Sequence, residues 1–521
     1  MEDTILMEIA KLQIFSQFWL TFFLLIPLIL IARTVVTGTR YSPILIVVVF
    51  GLAMGHLLVA SGVSGAGLPQ FEIVDLLSRT TIIALIATFF VGGQELRKVF
   101  GKTNVEHEDL VTISKEEASV GTNKTQFAYI FHAFFLLLGV ETLYRSVVGL
   151  GGAGTLSQFF PLLAYIGIVG SIIILDYKAI IQSKKLYIRK GLVETLAICA
   201  ILIVTYYISE WAREYAIALP QIFFAMIITC TLGAVFYKWS FGPTIRSLLF
   251  AGLPIVLAGN FLIGGSRMAN AFDVDGMTSV LAFGFFGQLV WMFGGIALMM
   301  IFAKTDHVRN LAPALAGGLS HAGLTGACTA GDLGNLAQAR TPITVNMPFL
   351  AHIFVFSILA ISAERGQLMA VPAFIVLAVG TVLTIWSLKT LRSVETAENQ
   401  EHKDSKEIKG LMKFAFGWQL FAMFGSFVLL SVFGMRLDHV AVAATSSLSH
   451  FGLFAATQGG MFGAEVAELL PFIFAMPFLV HPFVFFLFGK AMSNDGHMPS
   501  KPVFALALVG VAGVIFAIIS I

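Results

Sequence analysis

Charge is the scarcest property of this chain: only 12% of its 521 residues are Asp, Glu, Lys or Arg, and they nearly cancel, leaving a net charge of +2. Such a balance excludes both the basic footprint of a nucleic-acid binder and the acidic run of a solvating tail. Cysteine is almost absent. Cys199, Cys230 and Cys328 stand apart in apolar or small-residue surroundings, which excludes a disulfide framework and any thiolate metal spacing. No Gly-x-x-x-x-Gly-Lys-Ser/Thr run occurs, so a phosphate-cradling loop, and with it primary pumping by this polypeptide alone, is excluded. The first apolar run lacks an Ala-x-Ala type cleavage site and is soon followed by another, so it reads as a retained helix and not a leader.

Apolar residues are what the chain has in quantity, at 57%, in runs of about 18 or more residues that recur end to end. Hydrocarbon offers the backbone no hydrogen-bond partners, so such runs must satisfy themselves as helices. The expected fold is an all-α polytopic membrane protein with about fourteen spans: 13–36, 42–63, 77–95, 127–144, 157–176, 190–209, 217–236, 243–263, 278–303, 343–362, 369–388, 414–434, 471–489 and 503–521. Two further segments, 309–330 and 441–462, hold too much Gly, Ala, Ser and Thr for lipid-facing helices. Loops rich in Lys and Arg alternate with loops poor in them, as the positive-inside rule requires, only if 309–330 enters and leaves by one face. Both segments are therefore read as re-entrant hairpins.

The chain also repeats itself. Ser320–Phe356 and Ser449–Phe485 align without a gap at a constant offset of 129 and match at 16 of 37 positions. Ser320-His321-x-Gly323-Leu324 returns as Ser449-His450-x-Gly452-Leu453, and Met347-Pro348-Phe349-Leu350-x-His352 returns as Met476-Pro477-Phe478-Leu479-x-His481. The preceding spans correspond too, sharing Gln288 with Gln419 and Met292-Phe293-Gly294 with Met423-Phe424-Gly425. Three spans and one hairpin per copy is an odd number of crossings, so the second copy is inverted, an arrangement typical of secondary transporters. The organisation expected is an N-terminal membrane half at 1–275, repeat 1 at 276–392, a polar linker at 393–410, and repeat 2 at 411–521.

The first hairpin continues into Thr329, Asp332 and Asn335 among small residues, where a hydroxyl, a carboxylate and an amide supply the hard oxygens an alkali cation needs. A helix-capping role for Asp332 accounts for the same residue. Met461 replaces Asp332 in the second copy, followed by Glu465 and Glu468, which are either part of the site or an outer rim. Ser320, Ser449 and the four duplicated histidines (His321, His450, His352 and His481) hold broken helices together, and the histidines serve equally as a proton relay or as haem ligands. Asp176 either carries a proton or pairs with Lys178; Glu194 sits where a helix N-terminus tolerates an acid, and Glu95 reads as interfacial. His56 and His132 read as satisfied lone histidines. Arg340 is a surface positive-inside charge in a cation exchanger and an anion ligand in a symporter.

Residues 40–98, through Arg40-Tyr41-Ser42-Pro43, Gly51-Leu52-Ala53-Met54-Gly55, Gly67-Leu68-Pro69 and Phe89-Phe90-Val91-Gly92-Gly93-Gln94-Glu95-Leu96, resemble the opening of the monovalent cation:proton antiporter superfamily. The resemblance implies a paired-acid motif after the fifth span, and Ala197-Ile198-Cys199-Ala200 stands there instead. Gly326-Ala327-x-Thr329-x-Gly331-Asp332-x-Gly334-Asn335-Leu336 is similar to the hairpin signature of the arsenite/sodium-proton ion-transporter superfamily, without its proline. Both imply cation-coupled secondary transport. The expectation is thus no enzyme and no resident cofactor, but a sodium (or potassium)/proton antiporter, with a sodium-coupled symporter of a small carboxylate or amino acid as the alternative. A haem-binding redox subunit is the third reading. Small ions and the lipid of a bacterial or archaeal plasma membrane are the expected partners, and a homodimer is compatible with them.

Overall fold

The computed structural model describes residues 2–36, 43–62, 72–100, 123–150, 165, 167, 169–170, 185–215, 219–268, 277–302, 335–365, 370–394, 400–432, 470–480, 483–484, 486–487 and 500–520. Every regular element among them is helical, as the apolar runs demand. In chain order these are α1 (Glu2–Val36), α2 (Pro43–Ala60), α3 (Glu72–Ser78), α4 (Thr81–Phe100), α5 (Asn123–Val148), α6 (Lys185–Glu214) and α7 (Gln221–Val235). They continue with α8 (Pro243–Ser266), α9 (Met277–Phe302), α10 (Asn335–Arg365), α11 (Ala370–Arg392), α12 (Gln400–Val432), the short α13 (Ala475–Phe478) and α14 (Ser500–Ile519).

Among the described residues ten segments are long and apolar enough to cross a membrane, and α2 and α7 are shorter apolar helices over Ile44–Ala60 and Gln221–Val235. The outward faces agree with a lipid setting. Leu508, Val511, Ile515 and Phe516 on α14 are exposed, as are Val371, Phe374, Ile375 and Val382 on α11. In water such belts would drive aggregation; in hydrocarbon they cost nothing. Trp211 and Tyr215 at the end of α6, and Trp386 near the end of α11, are exposed aromatics of the kind that sit at headgroup level.

Both 309–330 and 441–462 lie outside the described residues, as does nearly all of 157–176 and part of 471–489. One expectation is corrected: residues 400–410, read as solvated linker, are the opening turns of α12, and Glu407 and Ile408 there are buried. Mixed charge without an apolar stripe signalled a connector, but the face of α12 that meets α10 and α11 buries its charge in an ion pair.

The two largest apolar cores among the described residues organise most of the helices, and a third, smaller one joins α9 to α14. Of the two largest, one joins α1 to α8 and takes in Val345 of α10 and Phe474, Ala475 and Phe478 around α13. The other joins α9 to α12, with Phe472, Ile473 and Ala517. The seam between them runs along α4, α7 and α10, which pack against one another. Close approach at the seam depends on glycine. Gly93 lies against the Cys230 carbonyl and Gly233 against the Phe90 carbonyl, so a Cβ at either would strike backbone and force α4 and α7 apart. Within the first core Phe261 of α8 stacks on Phe474 and meets Phe478 edge-on, with ring centroids 6.3 and 5.0 Å apart.

Candidate functional site

The polar residues at the seam stand out because their surroundings are apolar. Helix α10 enters it as Arg340-Thr341-Pro342-x-Thr344-x-Asn346-x-Pro348. Each proline lacks an N–H, so the carbonyls of Gln338 and Thr344, four residues earlier, receive no helical donor from these positions. Thr344 donates its hydroxyl to the Thr341 carbonyl at 3.0 Å, so it does not supply either missing donor. The Asn346 side chain is wedged between Gly92 of α4, where only glycine leaves room, and Cys230 of α7, to whose Sγ its Nδ2 donates at 3.7 Å.

That bond uses the nitrogen end of Asn346 and leaves the oxygen. Among the described residues Asn346 Oδ1, Thr341 Oγ1 and Thr229 Oγ1 are buried with no hydrogen-bond partner. Glu95, one turn beyond Gly92 on the same helix, is 2% exposed. An orphaned buried oxygen costs about 1–3 kcal/mol, so a group of them beside an acid favours a cationic occupant. Close by in sequence, Arg340 Nε donates to Glu407 Oε1 at 3.0 Å, and both residues are buried. The pair ties α10 to α12. A charge held this deep is costly unless matched, and in membrane proteins such residues mark ion pathways.

Other buried polar groups are committed elsewhere. Glu194 accepts from the backbone N–H of Gly242 at 2.6 Å and of Ile245 at 3.2 Å, and from Trp239 Nε1 at 3.1 Å. It caps α8, whose N-cap is Gly242 and whose first residue is Pro243. Glu141 accepts from Arg145 Nε at 2.7 Å, Tyr144 donates its hydroxyl to Gln221 Oε1 at 2.9 Å, and Gln221 Nε2 donates to the Leu202 carbonyl at 2.8 Å. Thr244 Oγ1 lies 3.5 Å from His132 Nε2, which agrees with His132 as a satisfied histidine. Gln94 Nε2 donates to the carbonyls of Phe236 and Trp239 at 3.2 and 2.9 Å.

Of the residues expected at the site, Ser320, His321, Thr329, Asp332, Asp176, Ser449, His450, Glu465 and His481 lie outside the described residues. Asn335 opens α10. His352 is buried on α10, with its ring centroid 5.7 Å from that of Phe356. Glu95 is buried within the protein, on α4, against which α7 and α10 pack. Two expectations are corrected. Arg340 is neither a surface charge nor a free anion ligand, since Glu407 neutralises it. Glu194 caps the start of α8, not of its own helix. Sequence reasoning passed over Asn346, Thr341 and Thr229, although two prolines six residues apart around Asn346 were a usable sign of an open helix. No protein-family model, curated protein sequence or solved structure matches the chain.

Proposed function

We propose that the chain is a secondary active transporter in which sodium or potassium is exchanged for protons by alternating access about α10 and the two duplicated hairpin segments. The observation that carries this reading is the set of orphaned buried oxygens on the proline-interrupted α10 and on α7, beside buried Glu95 and the Arg340–Glu407 pair. Oxygens without partners suit a weakly held, exchangeable monovalent ion, and a helix with two prolines can reorient more readily than an intact one. Asp332, Thr329 and Asn335 would extend the ligand set from the N-terminal end of α10, and Asp176 or a hairpin histidine would carry the proton. The setting is the plasma membrane of a bacterial or archaeal cell. Purified protein in liposomes with an internal pH dye tests the reading. A sodium or potassium gradient should drive proton movement, Asp332→Asn should abolish it and Asn346→Ala should weaken it; no flux with any cation would refute the reading.

Sodium-coupled symport of a small carboxylate or amino acid is the second reading. A different group of buried atoms favours it, on α9 and α12.

A further inference from the structure

Gln288 on α9 and Gln419 on α12 occupy equivalent places in the two copies, and both are 0% exposed. Among the described residues neither Oε1 nor Nε2 of either amide has a hydrogen-bond partner. Trp291, one turn after Gln288, also holds its indole Nε1 buried and unpartnered. The two helices touch at this level: Trp418, next to Gln419, donates its Nε1 to the Trp291 backbone carbonyl at 2.8 Å. Trp291 lies within the π-helical turn Val290–Gly294, a distortion that recurs at functional sites.

A buried carboxamide can be retired at little cost by an apolar residue of similar size, so two at duplicated positions need a reason to stay. The balance of hydrogen-bonding groups says what the reason could be. Each amide nitrogen carries two N–H groups and the indole one, which makes five donors against two carbonyl oxygens. An alkali cation alone would use the oxygens and leave every donor idle. A carboxylate accepts several N–H bonds through its two oxygens, and such bonds strengthen where water is excluded. The two helices themselves are uncharged here: α9 carries no ionisable acid or base over Met277–Phe302, and on α12 the charged residues stop at Lys413, which lies over the Trp386 ring. A lone anion in such a place would be costly. An anion that brings its own positive charge would not be, and the two amide oxygens are there to receive it.

We infer that Gln288, Trp291 and Gln419 form a binding site for a small carboxylate accompanied by a positive charge. That charge is either the ammonium of an amino acid or a co-bound cation. The assignment rests on the transport reading and deepens it by naming a cargo class, but it concerns atoms separate from those around Asn346.

The test is thermal unfolding of the purified full-length chain in detergent, with succinate, lactate, glycine or glutamate, each in sodium chloride and in choline chloride. At least one solute should raise the unfolding temperature of the unaltered protein. Gln288→Leu and Gln419→Leu should each weaken that stabilisation about tenfold or more in solute concentration, the loss of a charge-assisted hydrogen bond, while Trp291→Phe weakens it less. Size-exclusion chromatography establishes folding; should a leucine variant fail there, Gln288→Asn and Gln419→Asn keep the amide but withdraw its reach, and they too should weaken the response. A response that needs sodium identifies a carboxylate with its cation, and one that glycine or glutamate gives in choline identifies a zwitterion; either supports the site. No response to any solute, or an equal response in the variants, overturns it even if sodium still drives protons across liposomes. Binding without any cation-driven flux would leave the site standing and refute the transport reading instead.

Discussion

The helices α1–α8 and the helices α9–α12 both bury polar groups, but they treat them differently. In the first region most of the large ones are spent on architecture, although Gln17 Oε1 and Thr229 Oγ1 are left without partners among the described residues. Glu194 closes the start of α8, Glu141 is matched by Arg145, Tyr144 and Gln221 bond each other, and Gln94 seals the carbonyls after α7. In the second, two whole amides and an indole N–H on α9 and α12, and the Asn346 amide oxygen on α10, are left without partners among the described residues. Packing density is not the difference, since both regions have apolar cores. The contrast is between a fixed frame and a part whose hydrogen-bonding capacity is reserved, and the Arg340–Glu407 ion pair anchors the second part internally.

Substitutions can break that comparison in a definite order. Arg340→Ala should be the most damaging, because it strands Glu407 as a buried charge at a cost of about 3–5 kcal/mol. Arg340→Met combined with Glu407→Leu should recover most of the loss, and thermal unfolding of the single and double variants in detergent measures both. Glu194→Leu comes next. It orphans the Gly242 and Ile245 amides and the Trp239 indole, for about 3 kcal/mol of stability read in the same way. Asn346→Ala should cost under about 1 kcal/mol, because it breaks only a long bond to sulfur, yet it should raise the cation half-saturation of flux about tenfold or more. Gln288→Leu and Gln419→Leu should be the mildest of all, neutral or slightly stabilising by up to about 1 kcal/mol, since they remove unsatisfied atoms. If these last two destabilise as strongly as Glu194→Leu, the division into frame and reserved groups is wrong.

How much of this could be read from the sequence follows from which forces act locally. Helices were legible, because apolar runs in a membrane have no alternative to intrahelical hydrogen bonding, and α8, α9, α11 and α14 lie close to where hydropathy put them. Glu95 was not legible as a buried acid, because its neighbours Arg97 and Lys98 mark a helix end while its burial is set by α7 and α10, which are distant in the chain. Glu407 shared that fate: it sits among Lys403, Lys406 and Lys409 and reads as solvated until Arg340 is seen opposite. Glu194 could not be assigned to α8 because a cap supplied from another helix leaves no spacing signature. Gln288 and Gln419 were visible as a duplicated pair, but their meaning lay in having no partner, which sequence cannot express. Asp332, Thr329 and the hairpin histidines stand as they did in the sequence, as a proposal.

The most direct test of the central claim is ion flux in liposomes that contain only this chain. With a pH dye inside, a sodium or potassium gradient should move protons in the opposite direction, or sodium should drive uptake of a small carboxylate, and Asn346→Ala should impair the coupled movement while leaving the protein folded. Liposomes in which neither ion gradient moves protons or any carboxylate, with protein shown to be folded and inserted, would contradict the account.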